Sequence, residues 1–310
     1  MRKHIRPEVL GAALEQAQEG IVILDANLRV QFMNGAVRRL WRVSDEIADS
    51  NPQFEELVSD SKRPARYGVP ADQLEAFIAH RISLVRKGDQ TPQDIRTSDG
   101  RYIRSQCTKL PDGGRLLTYF DITDLVNNAE TLHRLATVDP LTAVHNRRHF
   151  LQLAETEWNR FSRYQRPLSA LMLDVDWFKL INDRFGHATG DAALQTVAGA
   201  CTIDQRRTDI VGRIGGDELA VLLPETDEVQ AIAVAERISN KIKSEAVVTE
   251  RGSLRITVSI GVAEASLSMS GAAALLDSAD QALYMAKLAG RNCVAQFKRR
   301  DRADKGIAAE

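Results

Sequence analysis

Cysteine is scarce in this chain. Cys107, Cys201 and Cys293 are the only three in 310 residues, none is part of a C-x-x-C pair, and the odd count leaves one unmatched. That argues against a disulfide scaffold and for a reduced, cytoplasmic setting. Long apolar runs are missing too. The basic Met1-Arg2-Lys3-His4 is followed by a stretch broken at Glu8, Glu15 and Glu19, so neither a signal-peptide core nor a membrane-spanning segment is expected. An excess of one charge is also absent: 41 Lys+Arg stand against 42 Asp+Glu, a net charge of -1. This argues against a dedicated DNA- or RNA-binding protein and leaves room for local basic sites that hold small phosphates. What is present is ordinary soluble composition, 44% hydrophobic and 27% charged, in a length that suits two domains.

The first half opens on a helical pattern with Val9, Leu10, Ala13, Leu14 and Ala17 on one face. Strand-like Gly20-Ile21-Val22-Ile23-Leu24-Asp25 and Leu28–Met33 follow, then Asn34 and a helical Ala36–Trp41. Residues 51–90 read as helices broken at Pro64 and Pro70. Three strands are expected at Gln93–Thr97, Arg101–Lys109 and Arg115–Asp121, joined through Asp99-Gly100 and Asp112-Gly113-Gly114 as hairpins. With the closing Tyr119-Phe120-Asp121-Ile122-Thr123, this order resembles the PAS sensor fold over residues 8–124. The sequence names no ligand for it. A lone His80 on a helix is a weak basis for haem, and Cys107 lacks the surroundings of a flavin-photoadduct site.

Residues 125–138 continue as a linker helix with Leu125, Leu132, Leu135 and Val138 on one stripe. The spacing suits a short two-stranded coiled coil, the alternative being a solvated helix, and Asp139-Pro140 ends it. Beyond lie helix 146–163, strand 168–175, helix 190–202, strands 209–214 and 219–223, helix 227–243, strand 254–263, helix 271–289 and strand 293–297. Interspersed helices and strands imply an α/β sandwich on a mixed sheet. The charged tail 299–310 reads as disordered.

Chemistry concentrates at two acidic ends. Leu171-Met172-Leu173-Asp174-Val175-Asp176 is an apolar strand finishing in carboxylates, with Asp174 and Asp176 on one face and Val175 on the other. A buried strand ends in two acids only where a cation or solvent compensates them. Gly215-Gly216-Asp217-Glu218 supplies the second group. Its glycines permit the positive backbone angles of a tight turn and leave room for a phosphate. If the two strands are neighbours, their ends form an oxygen-rich pocket for one or two Mg²⁺ ions.

From residue 139 to 298 the chain resembles the GGDEF diguanylate cyclase domain. The resemblance rests on Asp139-Pro140-Leu141-Thr142 with Asn146-Arg147-Arg148, Asp174 through Asp183, Gly186-His187-Ala188-Thr189-Gly190-Asp191, Arg213 through Glu218, and Ala286 through Asn292. It implies Mg²⁺ or Mn²⁺ on Asp174, the Val175 carbonyl, Asp217 and Glu218. Asp217 would activate a ribose 3′-hydroxyl, with Glu218 beside it. The triphosphate would lie over the backbone of Trp177 and Phe178, with Lys179 stabilising developing charge. Asn182 and Asp191 would read guanine, His187 would line the pocket, and Lys287 and Arg291, four apart near the end of the last helix, would clamp phosphates.

In the same family register, Arg206 and Asp209 match an inhibitory product site and Arg237 a secondary contact; the plain alternative is a surface ion pair. The expected function is condensation of two GTP into cyclic di-GMP by a homodimer under PAS control. The alternative is an inactive module that binds GTP or cyclic di-GMP, against which the intact Asp174, Lys179, Asp217 and Glu218 argue. Leu219 and Ala143 depart from the family's usual Phe and Gly. Leu219 is expected to point into the core.

Overall fold

The computed structural model describes residues 6–59, 67–203, 205–249 and 252–298. The sequence break at Pro64 and the tail 299–310 lie outside them. The chain divides into two compact units, meeting between Thr131 and Leu132.

The first unit runs α1 Pro7–Glu15, β1 Gly20–Leu24, β2 Val30–Met33, α2 Gly35–Trp41, α3 Asp45–Asp49, α4 Phe54–Ser59, α5 Leu74–Lys87, β3 Gln93–Arg96, β4 Tyr102–Lys109 and β5 Arg115–Asp121. Its strands form one antiparallel sheet in the order β2-β1-β5-β4-β3. Alternation along β1 buries Gly20, Val22 and Leu24, and the hairpin glycines Gly100 and Gly113 sit at φ +87° and +86°, where side chains are strained. Asn34 is fully buried and explains its own place. Its Oδ1 caps α2 at the Val37 amide and accepts from Ile21, while Nδ2 donates to the carbonyls of Leu14 and Glu19. Asp121 holds the Thr123 amide and hydroxyl, and Thr123 Oγ1 accepts from the Tyr102 amide, closing the sheet. On the apolar face of α1, Val9 and Leu10 are exposed while Leu14, and Ala17 just beyond the helix, are half-buried.

Helix α6, Thr123–Thr137, buries no residue. Leu125, Leu132 and Leu135 are more than half exposed. Val138 leaves the expected stripe, because it lies beyond the helix end and bridges to His145.

The second unit runs β6 His145–Asn146, α7 Arg147–Tyr164, β7 Leu168–Val175, α8 Phe178–Phe185, α9 His187–Thr202, β8 Ile210–Arg213, β9 Glu218–Pro224, α10 Glu228–Ser244, β10 Ala246–Thr249, β11 Gly252–Arg255, β12 Val258–Glu264, α11 Ala272–Leu288 and β13 Val294–Gln296. The mixed sheet has the order β13-β12-β7-β9-β8-β6, with β10 and β11 as a separate ribbon. β7 is buried at every position. Leu171, Leu173 and Val175 pack beneath α8, α9 and α10, while Leu168, Ala170 and Met172 pack with residues of α7 and α11. Each such leucine contributes about 2 kcal/mol by leaving water.

Three sequence expectations change here. Phe178–Phe185 is a helix that the pattern did not show, and α9 begins at His187 because Gly186, at φ +85°, breaks the chain between the two. The single strand expected over 254–263 is two. β11 pairs with β10 up to Arg255, and from Val258 the chain pairs with β7, so residues 256–257 mark a change of partner. Gly261 lets α11 lie directly on β12, since a Cβ there would fall on the Ala279 carbonyl and the Leu283 amide. Cys107 and Cys201 are buried, Cys293 is half-buried and all three are free; burial pushes the Cys201 thiol up to about 12. Among the described residues, no helix is long and apolar enough to cross a membrane.

Candidate active site

β7 and β9 are antiparallel neighbours, and Asp174 stands directly opposite Glu218. The turn before β9 is closed by Ile214 and Gly215 amides donating to the Glu218 carbonyl. Neither Gly215 nor Gly216 adopts a positive φ, so the reason for glycine here is space rather than the backbone angles expected. A side chain at 215 would crowd the Glu218 carboxylate, while the space beside Gly216 is open. Arg213 braces the turn. Its guanidinium donates to the Gly216 carbonyl at 2.7 Å and pairs with Asp139 at 3.3 Å. Asp139 also holds the Thr142 amide and hydroxyl. Burial opposes ionisation of Asp139, yet Thr142 and Arg213 outweigh it and its carboxyl lies below the ordinary range. The Asp-Pro-Leu-Thr segment is therefore tied to the acidic turn through one arginine, a role the sequence did not show.

The two acids that end β7 have different work. Asp174 is 8% exposed and pairs with Lys287 Nζ at 2.7 Å. Burial pushes its carboxyl up, Lys287 draws it down, and the neighbouring Asp217 and Glu218 push it up again; the balance is upward. Three carboxylates thus face one lysine, a local excess of negative charge. Asp176, expected to share the pocket's face, is instead fully engaged. It accepts from Thr257 Oγ1 at 2.7 Å, Ser259 Oγ at 2.6 Å and the Asn292 amide at 2.9 Å. It fastens the segment after α11 to the end of β7. Among the described residues, no three His, Cys, Asp or Glu side chains are arranged to hold a metal by themselves.

Trp177 enters α8 at φ +60° without a side-chain cap, which leaves the first amides of that helix free for an anion. Lys179, in the first turn, is exposed. Arg291 does not share a helix face with Lys287: α11 ends at Leu288, Arg291 takes φ +66°, and its guanidinium stacks on the Trp177 ring at 4.2 Å. The expected phosphate clamp is thus split between a helix and the loop after it. Asn182 packs against Gly190, where a Cβ would collide with it, and its Oδ1 is buried with no partner. Asp191 follows Gly190 and is exposed, as is His187 at the first turn of α9. Leu219 is fully buried in the core beneath α8–α10, as expected.

Arg206, Asp209 and Arg237 gather at a second place. Arg206 and Asp209 exchange a turn in which the Arg206 amide donates to Asp209 Oδ2 at 3.0 Å and the Asp209 amide to the Arg206 carbonyl at 3.0 Å. Burial pushes the Asp209 carboxyl up, against the pull of Arg206 and Arg237, and its Oδ1 lacks a partner. Arg206 and Asp209 border a groove of about 1000 Å³ beside α7.

The family model for the GGDEF domain of diguanylate cyclases matches residues 136–293. The chain belongs to the GGDEF family. A PAS-fold model matches residues 14–130, in agreement with the antiparallel sheet of the first unit. Response regulator PleD of Caulobacter vibrioides is 37% identical over 172 residues, 55% of this chain and 38% of that one. Probable diguanylate cyclase DgcC of Escherichia coli is 37% identical over 177 residues, 57% of this chain and 47% of that one. The chain thus spans less than half the length of these relatives. The crystal structure of the coiled coil and GGDEF domain of DgcB from Caulobacter crescentus, in complex with c-di-GMP, superposes with a TM-score of 0.53 at 28% identity. It covers 56% of this chain and 93% of that one.

Proposed function

We propose that the GGDEF unit condenses two GTP into cyclic di-GMP with release of two pyrophosphates. The observation that carries this reading is the acidic pocket where β7 meets β9, in which Asp174, with Asp217 and Glu218 beside it, is paired with Lys287. That excess of negative charge fits a divalent cation held by Asp174, the Val175 carbonyl, Asp217 and Glu218. Bound Mg²⁺ or Mn²⁺ would neutralise the triphosphate. Asp217 takes the proton of the attacking 3′-hydroxyl. The uncapped amides of α8 receive phosphate oxygens, and Lys179 stabilises charge gathering on them. Asn182 Oδ1, buried and unpartnered, meets a guanine N–H, and Asp191 accepts from the other donors of that edge. Lys287 and Arg291 contact phosphate from opposite sides of the α11 end, and His187 borders the nucleotide.

One unit holds one GTP, so the two-fold product requires two copies facing each other. The exposed Leu125, Leu132 and Leu135 of α6 support a coiled coil that brings the copies together, with the PAS unit upstream setting how often they meet. On this reading residues 8–124 sense, 125–138 link and 139–298 catalyse, in the cytoplasm and without nucleic acid. Arg206, Asp209 and Arg237 bind product and restrain activity, supported by the unpartnered Asp209 Oδ1 at the groove edge.

Incubating the purified chain with GTP and Mg²⁺ tests the reading. Cyclic di-GMP and two equivalents of pyrophosphate are expected. The rival is a module that binds nucleotide without turning it over; GTP binding with no product at high protein concentration would establish that rival.

A further inference from the structure

Among the described residues, the core of the PAS unit contains a cation without an anion. Arg81 projects from α5, is 8% exposed, and has no carboxylate within ion-pair distance among the described residues. Its guanidinium donates to the Tyr67 hydroxyl and is stacked between rings, 5.4 Å from Trp41 and 5.3 Å from Tyr67. The Tyr119 hydroxyl lies beside it. Trp41 Nε1 is likewise buried and has no acceptor. These four side chains border one small cavity of about 20 Å³, whose remaining wall is aliphatic and aromatic. Such a volume takes one or two water-sized groups.

An unpaired buried cation is strongly unfavourable, and aromatic faces recover only part of its lost hydration. Among the described residues, every polar group at this cavity is able to donate a hydrogen bond, and none is an acid. A planar carboxylate matches the guanidinium fork with two parallel hydrogen bonds and leaves a lone pair for the indole N–H. From these observations we infer that the PAS cavity is a binding site for a carboxylate of formate size, held by Arg81 and Trp41 with the Tyr67 and Tyr119 hydroxyls ordering the guanidinium. His80, the neighbouring residue on α5, is exposed and takes no part.

The test uses the full chain at neutral pH, with sodium formate as probe and sodium chloride at equal ionic strength as reference. Calorimetric titration should show saturable binding of formate, and the first thermal transition should rise by several degrees at saturation. Arg81→Met should abolish both responses, and Tyr67→Phe should weaken binding several-fold while leaving the fold intact. Chloride matching formate, no saturable response to formate, or a full response in Arg81→Met would each overturn the inference. Should Arg81→Met fail to fold, Trp41→Phe and Tyr67→Phe decide: wild-type affinity in both would overturn it.

Discussion

The two units differ in the sign of the charge they leave uncompensated. In the GGDEF unit, acids outnumber cations: Asp174, Asp217 and Glu218 face Lys287. In the PAS unit the order is reversed, and Arg81 is buried among aromatic rings with no acid among the described residues. Two other buried polar side chains are satisfied. Asn34 spends its amide on four backbone groups, and Asp176 accepts three hydrogen bonds. The contrast separates structural from functional polarity. A buried group whose partners all come from its own chain holds the fold, and a charge left in deficit within a pocket is a candidate for contact with something else.

The largest expected effect tests the acidic side. Asp217→Asn removes the proposed proton acceptor and one charge, and should lower the initial rate of pyrophosphate release by roughly a thousandfold. Circular dichroism should remain unchanged.

The comparison sharpens at the end of β7, where neighbours two residues apart should behave oppositely. Asp176→Ala strands two hydroxyls and the Asn292 amide and should cost about 3 kcal/mol in urea unfolding. Asp174→Asn relieves repulsion with Asp217 and Glu218 and gives up the ion pair with Lys287, opposing changes that should leave stability within about 1 kcal/mol while turnover is abolished. Equal stability losses would erase the distinction drawn between them.

Gly261→Ala should cost about 3 kcal/mol, because the new methyl meets α11 backbone that has no room to yield. The displaced helix carries Lys287, so turnover should fall as well. The smallest effect is at Ala143, which holds φ +59° where a Cβ is strained. Ala143→Gly should raise stability by about 1 kcal/mol without changing the rate.

Much of this was legible from local pattern. The apolar run of β7 ending in acids, the glycine turn before β9, and the Asp-Gly hairpins of the PAS sheet carry their reasons within a few residues. Helix α8 did not show, because what holds it is tertiary: the left-handed break at Gly186 and the packing of Asn182 on Gly190. Asp176 read as a pocket carboxylate because its partners lie 81 to 116 positions away. Arg291 read as sharing a face with Lys287 because the two are four apart, whereas the chain leaves the helix after Leu288 and the guanidinium stacks on Trp177. Arg81 carried no signal at all; an arginine in an amphipathic helix reads as solvated until the fold buries it.

The central claim, that the acids at the β7–β9 end form a cation site completed by nucleotide, is tested most directly by titrating Mn²⁺ into the full chain with a non-hydrolysable GTP analogue and following free Mn²⁺ by electron paramagnetic resonance. Wild type should bind Mn²⁺ in the presence of the analogue, and Asp217→Asn should weaken that binding at least about tenfold, the equivalent of about 1.4 kcal/mol. Equal Mn²⁺ affinity in both proteins, with the nucleotide still bound, would contradict the account.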